Sequence, residues 1–321
     1  MLLDWAGPTP QQPKETADME PRQFSETALG AAVIRALHLE FGDPVIFADR
    51  FAGALVPEKD RERVLAHMLD LISPTDKRAA LAISDDRERS AFILRAIPFT
   101  ATSLVTYRYA EDRLEAALRG GISQYVSLGA GLDSSALRIP ETWPGVRIFE
   151  VDHPATQELK KTLLRRLGLK IGDGATFVPM DFEQENLRTK LLSAGLESDQ
   201  PVFVSWLNVT VYLSQDAVLN ALTSIGALSA AASELVFDFC GEDILQLGDD
   251  GVARMFRTAE ALGEPMTGGL SLDWLRGTLS ALGYASIELF RPESLADLQA
   301  PADRNAYRFM PDCYIATAVK S

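Results

Sequence analysis

The chain has 321 residues, 47% hydrophobic and 24% charged, with a formal net charge of −14. That size can bury a substantial core as one large or two ordinary domains. The acidic balance argues against nucleic acid and anionic membranes as partners, because both demand clustered Lys and Arg.

Residues 1–23, rich in Pro, Gln, Glu and Thr and without a basic-then-apolar leader pattern, are expected to form a flexible N-terminal arm. A helical cap is expected over 24–121. Ser25-Glu26-Thr27 opens an apolar-periodic run that ends near Gly42-Asp43-Pro44. A short helix carrying Phe47, Phe51 and Leu55 follows, then helices over 60–71, 85–110 and 110–119, the last stopping at Gly120-Gly121. Asp49-Arg50 reads as a turn with a surface ion pair. His38 and His67 sit in helical stretches and read as structural or exposed.

From Ile122 the pattern alternates between strand and helix. Strands are expected over 124–128, 146–151, 176–180, 201–207 and 235–239, with helices over 154–167, 184–194 and 215–231. The strands are nearly continuous apolar runs, as parallel strands covered on both faces should be. Lys160-Lys161 and Arg165-Arg166, at helical spacing, read as a solvated helix face. After Cys240 a helical insertion, about 241–275, is expected to act as a lid. A helix over 271–283 and two strands, 285–290 and 314–319, close the chain. Cys240 and Cys313 lie far apart without a CxxC pair, which suits a reduced, cytoplasmic protein with no structural metal. No run reaches the ~18 apolar residues of a membrane span.

The chemistry concentrates between Gln124 and Asp152, QYVSLGAGLDSSALRIPETWPGVRIFEVD. One buried strand leads into Gly129-Ala130-Gly131 and the next ends on Asp152. This is how open α/β sheets hold a nucleoside-containing cofactor beyond their strand ends. Asp181, after the third strand, suits an exocyclic adenine amine. A diphosphate cofactor would want G-x-G-x-x-G and positive potential. Here Asp133 and Ser134 follow the glycines, and Asp133 would repel a pyrophosphate yet accept from an ammonium group. The charge pattern therefore prefers S-adenosylmethionine to NAD. Glu150 shares a strand face with Asp152 and could support the site. His153, beside Asp152, is a candidate base, with packing against adenosine the favoured role. Tyr109 and Tyr212 are candidates for the acceptor pocket. Phe92, Ile93, Phe99, Met255, Phe256 and Met266 are candidates for its apolar wall.

VSLGAGLDSSALRI, RIFEVDHPATQELK and VPMDF resemble successive motifs of the leucine carboxyl methyltransferase (PPM-type) family, in particular its bacterial S-adenosylmethionine-dependent O-methyltransferases. TALGAAVIRAL, FADRFAGAL, TYRYAEDRL and WLNVTVYLS extend the resemblance over roughly 24–213. It implies a Rossmann-like α/β fold: a seven-stranded class I methyltransferase sheet in 122–321, with the helical cap and the lid. It also implies that Arg108 contacts the methionine carboxylate, that Gly129, Ala130 and Gly131 line the methionine portion, that Asp152 grips the ribose, and that Asp181 and Phe182 frame the adenine. Protein-modifying members carry a glutamate where this chain has Leu207, beside Asn208. The expected acceptor is therefore a small molecule bound near Tyr109, Asn208 and Tyr212, ahead of a protein tail. A carboxylate oxygen is expected before a hydroxyl. The bulk properties leave no role for nucleic acid or membrane.

Overall fold

A computed structural model describes residues 25–42, 45–172, 174–295 and 307–321. The expected N-terminal arm and the Asp43-Pro44 turn lie outside the described residues.

Among the described residues six helices precede the sheet: α1 (Glu26–Phe41), α2 (Ala52–Leu55), α3 (Glu58–Leu71), α4 (Pro74–Ala82), α5 (Asp86–Ala96) and α6 (Pro98–Arg119). Then come β1 (Gln124–Leu128), α7 (Ser135–Thr142), β2 (Arg147–Asp152), α8 (Pro154–Leu167), β3 (Ala175–Pro179), α9 (Leu187–Ser193), β4 (Val202–Trp206), α10 (Gln215–Leu228) and β5 (Glu234–Cys240). The chain closes with α11 (Asp250–Ala261), α12 (Leu272–Ala281), β6 (Tyr284–Phe290) and β7 (Cys313–Lys320). One seven-stranded sheet has the order β3-β2-β1-β4-β5-β7-β6. Strands β1 to β5 are parallel, and β7 runs antiparallel between β5 and β6. The order reverses between β1 and β4, the switch point where such sheets open a crevice.

Local chemistry explains where the helices begin and break. Ser25 caps α1 by accepting the Ala28 amide, and Ser73, with Pro74 at the first position, caps α4, a helix additional to the expected ones. The single helix expected over 85–110 is two. Ile97 is extended (φ −87°, ψ 112°) because Pro98 disfavours a helical residue before it, and α6 starts on that proline and runs through to Arg119.

Two surface assignments are corrected. Lys160 is buried rather than solvated, its ammonium bonding both carboxylate oxygens of Glu150 at 2.7 Å. Asp49 is buried as well, and its partner is Arg35 rather than Arg50, which pairs with Glu141 on the surface. The core of the cap is continuous with the sheet layers: Leu37, Leu55, Met68 and Leu104 share one apolar cluster with Leu137 of α7 and Leu163 of α8. Cys240 and Cys313 are free, buried thiols brought into register on β5 and β7, with sulfurs 3.1 Å apart. Among the described residues no helix is long and apolar enough to cross a membrane.

Candidate active site

A cavity of about 780 Å³ lies over the carboxyl ends of β1, β2 and β4, roofed by α1, α3 and α11. Its floor is the turn after β1. Gly129 and Ala130 both donate to the Val151 carbonyl, at 2.8 and 3.1 Å, so the turn leans onto β2. Gly129 and Gly131 are left-handed (φ 63° and 48°), and a Cβ on Gly129 would fall 2.3 Å from Val209. Only glycine meets both demands at Gly129, conformation and close approach.

Asp152, at the tip of β2, is nearly buried on the cavity wall. One carboxylate oxygen accepts the Gly131 amide at 2.5 Å and the other accepts its neighbour His153 at 2.6 Å. Burial raises its pKa, while the two amides and the Lys160 charge oppose the rise. A carboxylate fixed this way, with lone pairs left for the cavity, fits a ribose diol. Asp181 lines the same cavity after β3, its carboxylate accepting from Glu183 and Gln184. Phe182 also lines it and stacks on Trp206 (centroids 6.0 Å apart, 22° between planes). Asp133 is held by the Ser135 amide at 2.5 Å. The residues present thus fit a phosphate-free nucleoside. Among the described residues no His, Cys, Asp and Glu group could hold a metal ion.

His153 lines the cavity, but its Nδ1 accepts the Ala155 amide at 3.3 Å and caps α8. Asn208 and Tyr212 line the cavity, whereas Arg108 and Tyr109 do not. Arg108 is exposed and paired with Asp112 one helical turn on, at 2.7 Å. Tyr109 packs edge-on against Phe290, with ring centroids 5.2 Å apart. Helix α6 turns its preceding residue, Tyr107, toward the site instead, because successive helical positions point about 100° apart. Glu150 is likewise absent from the lining, committed to Lys160. Of the expected apolar wall, Phe99, Met255 and Met266 line the cavity and Phe92, Ile93 and Phe256 do not.

Residues the sequence reading passed over complete the site. Arg35 is buried beneath the turn after β1. Its Nε donates to Asp49 at 2.9 Å, Nη1 to the Tyr107 hydroxyl at 3.1 Å and Nη2 to the Leu132 carbonyl at 2.9 Å. Burial raises the Tyr107 pKa and Arg35 opposes it, so the phenol stays protonated. Glu264, beyond α11, accepts from the first turn of α1: the Glu26 amide at 2.7 Å, the Thr27 amide at 3.2 Å, the Ser25 hydroxyl at 3.1 Å and the Thr27 hydroxyl. The Ser-x-Thr start of α1 was a visible signal of free helix amides, though not of their partner.

A sequence profile described as leucine carboxyl methyltransferase matches residues 28–226. A Bacillus subtilis (strain 168) relative named "Putative S-adenosyl-L-methionine-dependent methyltransferase YktD" is 32% identical over 282 residues, which cover 87% of this chain and 92% of that protein. A Streptomyces coelicolor relative, "Putative S-adenosyl-L-methionine-dependent methyltransferase SCO7813", is 30% identical over 273 residues, 81% and 83% of the two chains. In fold the chain is similar to the crystal structure of a DUF574 family protein from Streptomyces avermitilis. The TM-score is 0.53 at 16% identity, over 91% of this chain and 97% of that one. With the strand order, the glycine turn and Asp152 in place, the chain belongs to the leucine carboxyl methyltransferase family and is an S-adenosylmethionine-dependent methyltransferase.

Proposed function

We propose that the protein transfers a methyl group from S-adenosylmethionine to an oxygen atom of a small molecule. The observation that carries this reading is Asp152 fixed by the Gly131 amide at neighbouring strand tips, inside a roofed cavity. Asp152 would take the ribose hydroxyls, Asp181 and the Phe182 amide the adenine, and Asp133 the ammonium group. Arg108, exposed on α6, is not assigned to the methionine carboxylate. The donor, when bound, supplies an electrophilic methyl on a cationic sulfur. The protein's contribution is then alignment and exclusion of water, which in-line displacement rewards strongly.

A cavity partly roofed by α1, α3 and α11 supports a small acceptor rather than a protein tail or nucleic acid. Two cysteines far apart in sequence with no CxxC pair support a cytoplasmic setting. Calorimetric titration with S-adenosylhomocysteine tests the donor assignment: saturable binding is expected, and NADH binding in its place would sink it. Incubation with labelled donor and cell extract then identifies the product. Base-labile label marks an ester, and base-stable label an ether.

A further inference from the structure

Past the turn after β1 the cavity continues toward α3, the Ile97-Pro98 junction and α11. Met68, Ile97, Phe99, Met255 and Met310 wall this lobe. Methionine-rich walls are apolar, polarizable and adaptable, and their sulfurs favour aromatic rings. The polar groups facing the turn are Tyr107 and Asn208. Tyr107 is stacked on Phe47 (centroids 5.4 Å, 18°), and its oxygen accepts from Arg35, which leaves its own proton to donate. Asn208 is held left-handed (φ 59°) with its backbone amide on Asp238 at 2.6 Å. Its side-chain amide stands beside the Tyr107 hydroxyl and interacts with it, and among the described residues neither amide atom has any other hydrogen-bond partner. Buried polar atoms in that condition call for a partner.

The charge lining the cavity as a whole is one-sided. Among the described lining residues Arg35 is the one arginine or lysine, and its three contacts commit it to Asp49, Tyr107 and Leu132. Glu26, Asp133, Asp152, Asp181, Glu183 and Glu264 all line the cavity. Among the described side chains a carboxylate acceptor would find no free cation to offset its lost hydration, leaving only the donor's own sulfonium.

Resting on the methyl-transfer reading, we infer that the acceptor is an uncharged, apolar hydroxyl compound of phenol type. Its oxygen sits between the Tyr107 hydroxyl and the Asn208 amide, and its body fills the methionine-walled lobe. In the transfer, an oxygen lone pair forms the new O–C bond while the S–C bond breaks and leaves its electron pair on sulfur. The hydroxyl proton passes to water at the open side, where His67 is exposed.

Calorimetry on protein saturated with S-adenosylhomocysteine, titrated with 4-butylphenol and with 4-butylbenzoate, tests this. The phenol is expected to bind about tenfold or more tightly than the benzoate, the scale of one lost hydrogen bond or unpaired charge. Met255→Lys, on half-exposed α11, supplies a cation and should reverse that order. Tyr107→Phe should weaken the phenol by about tenfold. Equal or tighter benzoate binding to the unmodified protein, or no phenol binding at all, overturns the inference. Failure of S-adenosylhomocysteine itself to bind would overturn the donor assignment instead.

Discussion

Glu264 accepts the backbone amide of Glu26 at 2.7 Å across 238 positions of sequence. The first turn of a helix has amides without intrahelical partners and carries the positive end of the helix dipole, so a carboxylate is favoured there. Through Glu264 the segment after α11 is latched to α1, and both roof the cavity. Glu264→Ala should cost about 1–3 kcal/mol at this contact. It should also speed dissociation of S-adenosylhomocysteine in stopped-flow traces. Hydrogen exchange at Glu26 and Thr27 reads the latch directly, and unaltered protection there would show that Glu264 does not hold α1.

Asp152 and Arg108 make opposite predictions for donor binding. Asp152→Ala removes the acceptor fixed by Gly131 and His153 and should weaken S-adenosylhomocysteine by about 1–3 kcal/mol. Arg108→Ala breaks an exposed pair with Asp112, of a kind worth about 0–1 kcal/mol, and should leave the titration curve in place. A large loss in the Arg108 variant would mean that α6 turns that arginine inward when the donor binds.

The contrast shows what the sequence could and could not carry. Asp152 was legible because a parallel strand is an apolar run, and a carboxylate closing one stands out. Asp181 was legible for the same reason. On α6, Tyr107, Arg108 and Tyr109 are consecutive, and only packing decides which of them faces the site. Arg35 was hidden in the apolar run Val33-Ile34-Arg35-Ala36-Leu37, where its burial depends on Asp49 and on the turn after β1. Lys160 looked solvated for a related reason: its partner Glu150 lies on a strand that precedes α8. The helix break at Ile97, by contrast, was encoded locally in Pro98.

The Lys160–Glu150 pair yields a stability prediction with a built-in control. Both side chains are about 1% exposed, and burial raises the Glu150 pKa while Lys160 holds it down. Lys160→Met strands a buried carboxylate and should destabilise by about 3–5 kcal/mol. The double variant Lys160→Met/Glu150→Leu removes both charges and should recover most of that loss in urea unfolding. A double variant no more stable than the single one would place the cost in packing rather than in charge.

His38 gives the fold a pH dependence. The imidazole is buried on α1, its Nε2 accepts the Ile46 amide at 2.7 Å, and burial lowers its pKa from 6.5 to about 4. The folded protein therefore keeps His38 neutral where the unfolded chain already binds a proton. Its contribution is complete above pH 6.5, the unfolded value, and is lost as pH falls toward about 4. Over that window the loss is about 3 kcal/mol. His38→Gln keeps an acceptor for Ile46 and cannot titrate. The difference in unfolding free energy between the parent protein and this variant should thus shift by about 3 kcal/mol against the parent between pH 7 and pH 4. A constant difference across that range would show that His38 is protonated in the folded state as readily as in the unfolded one.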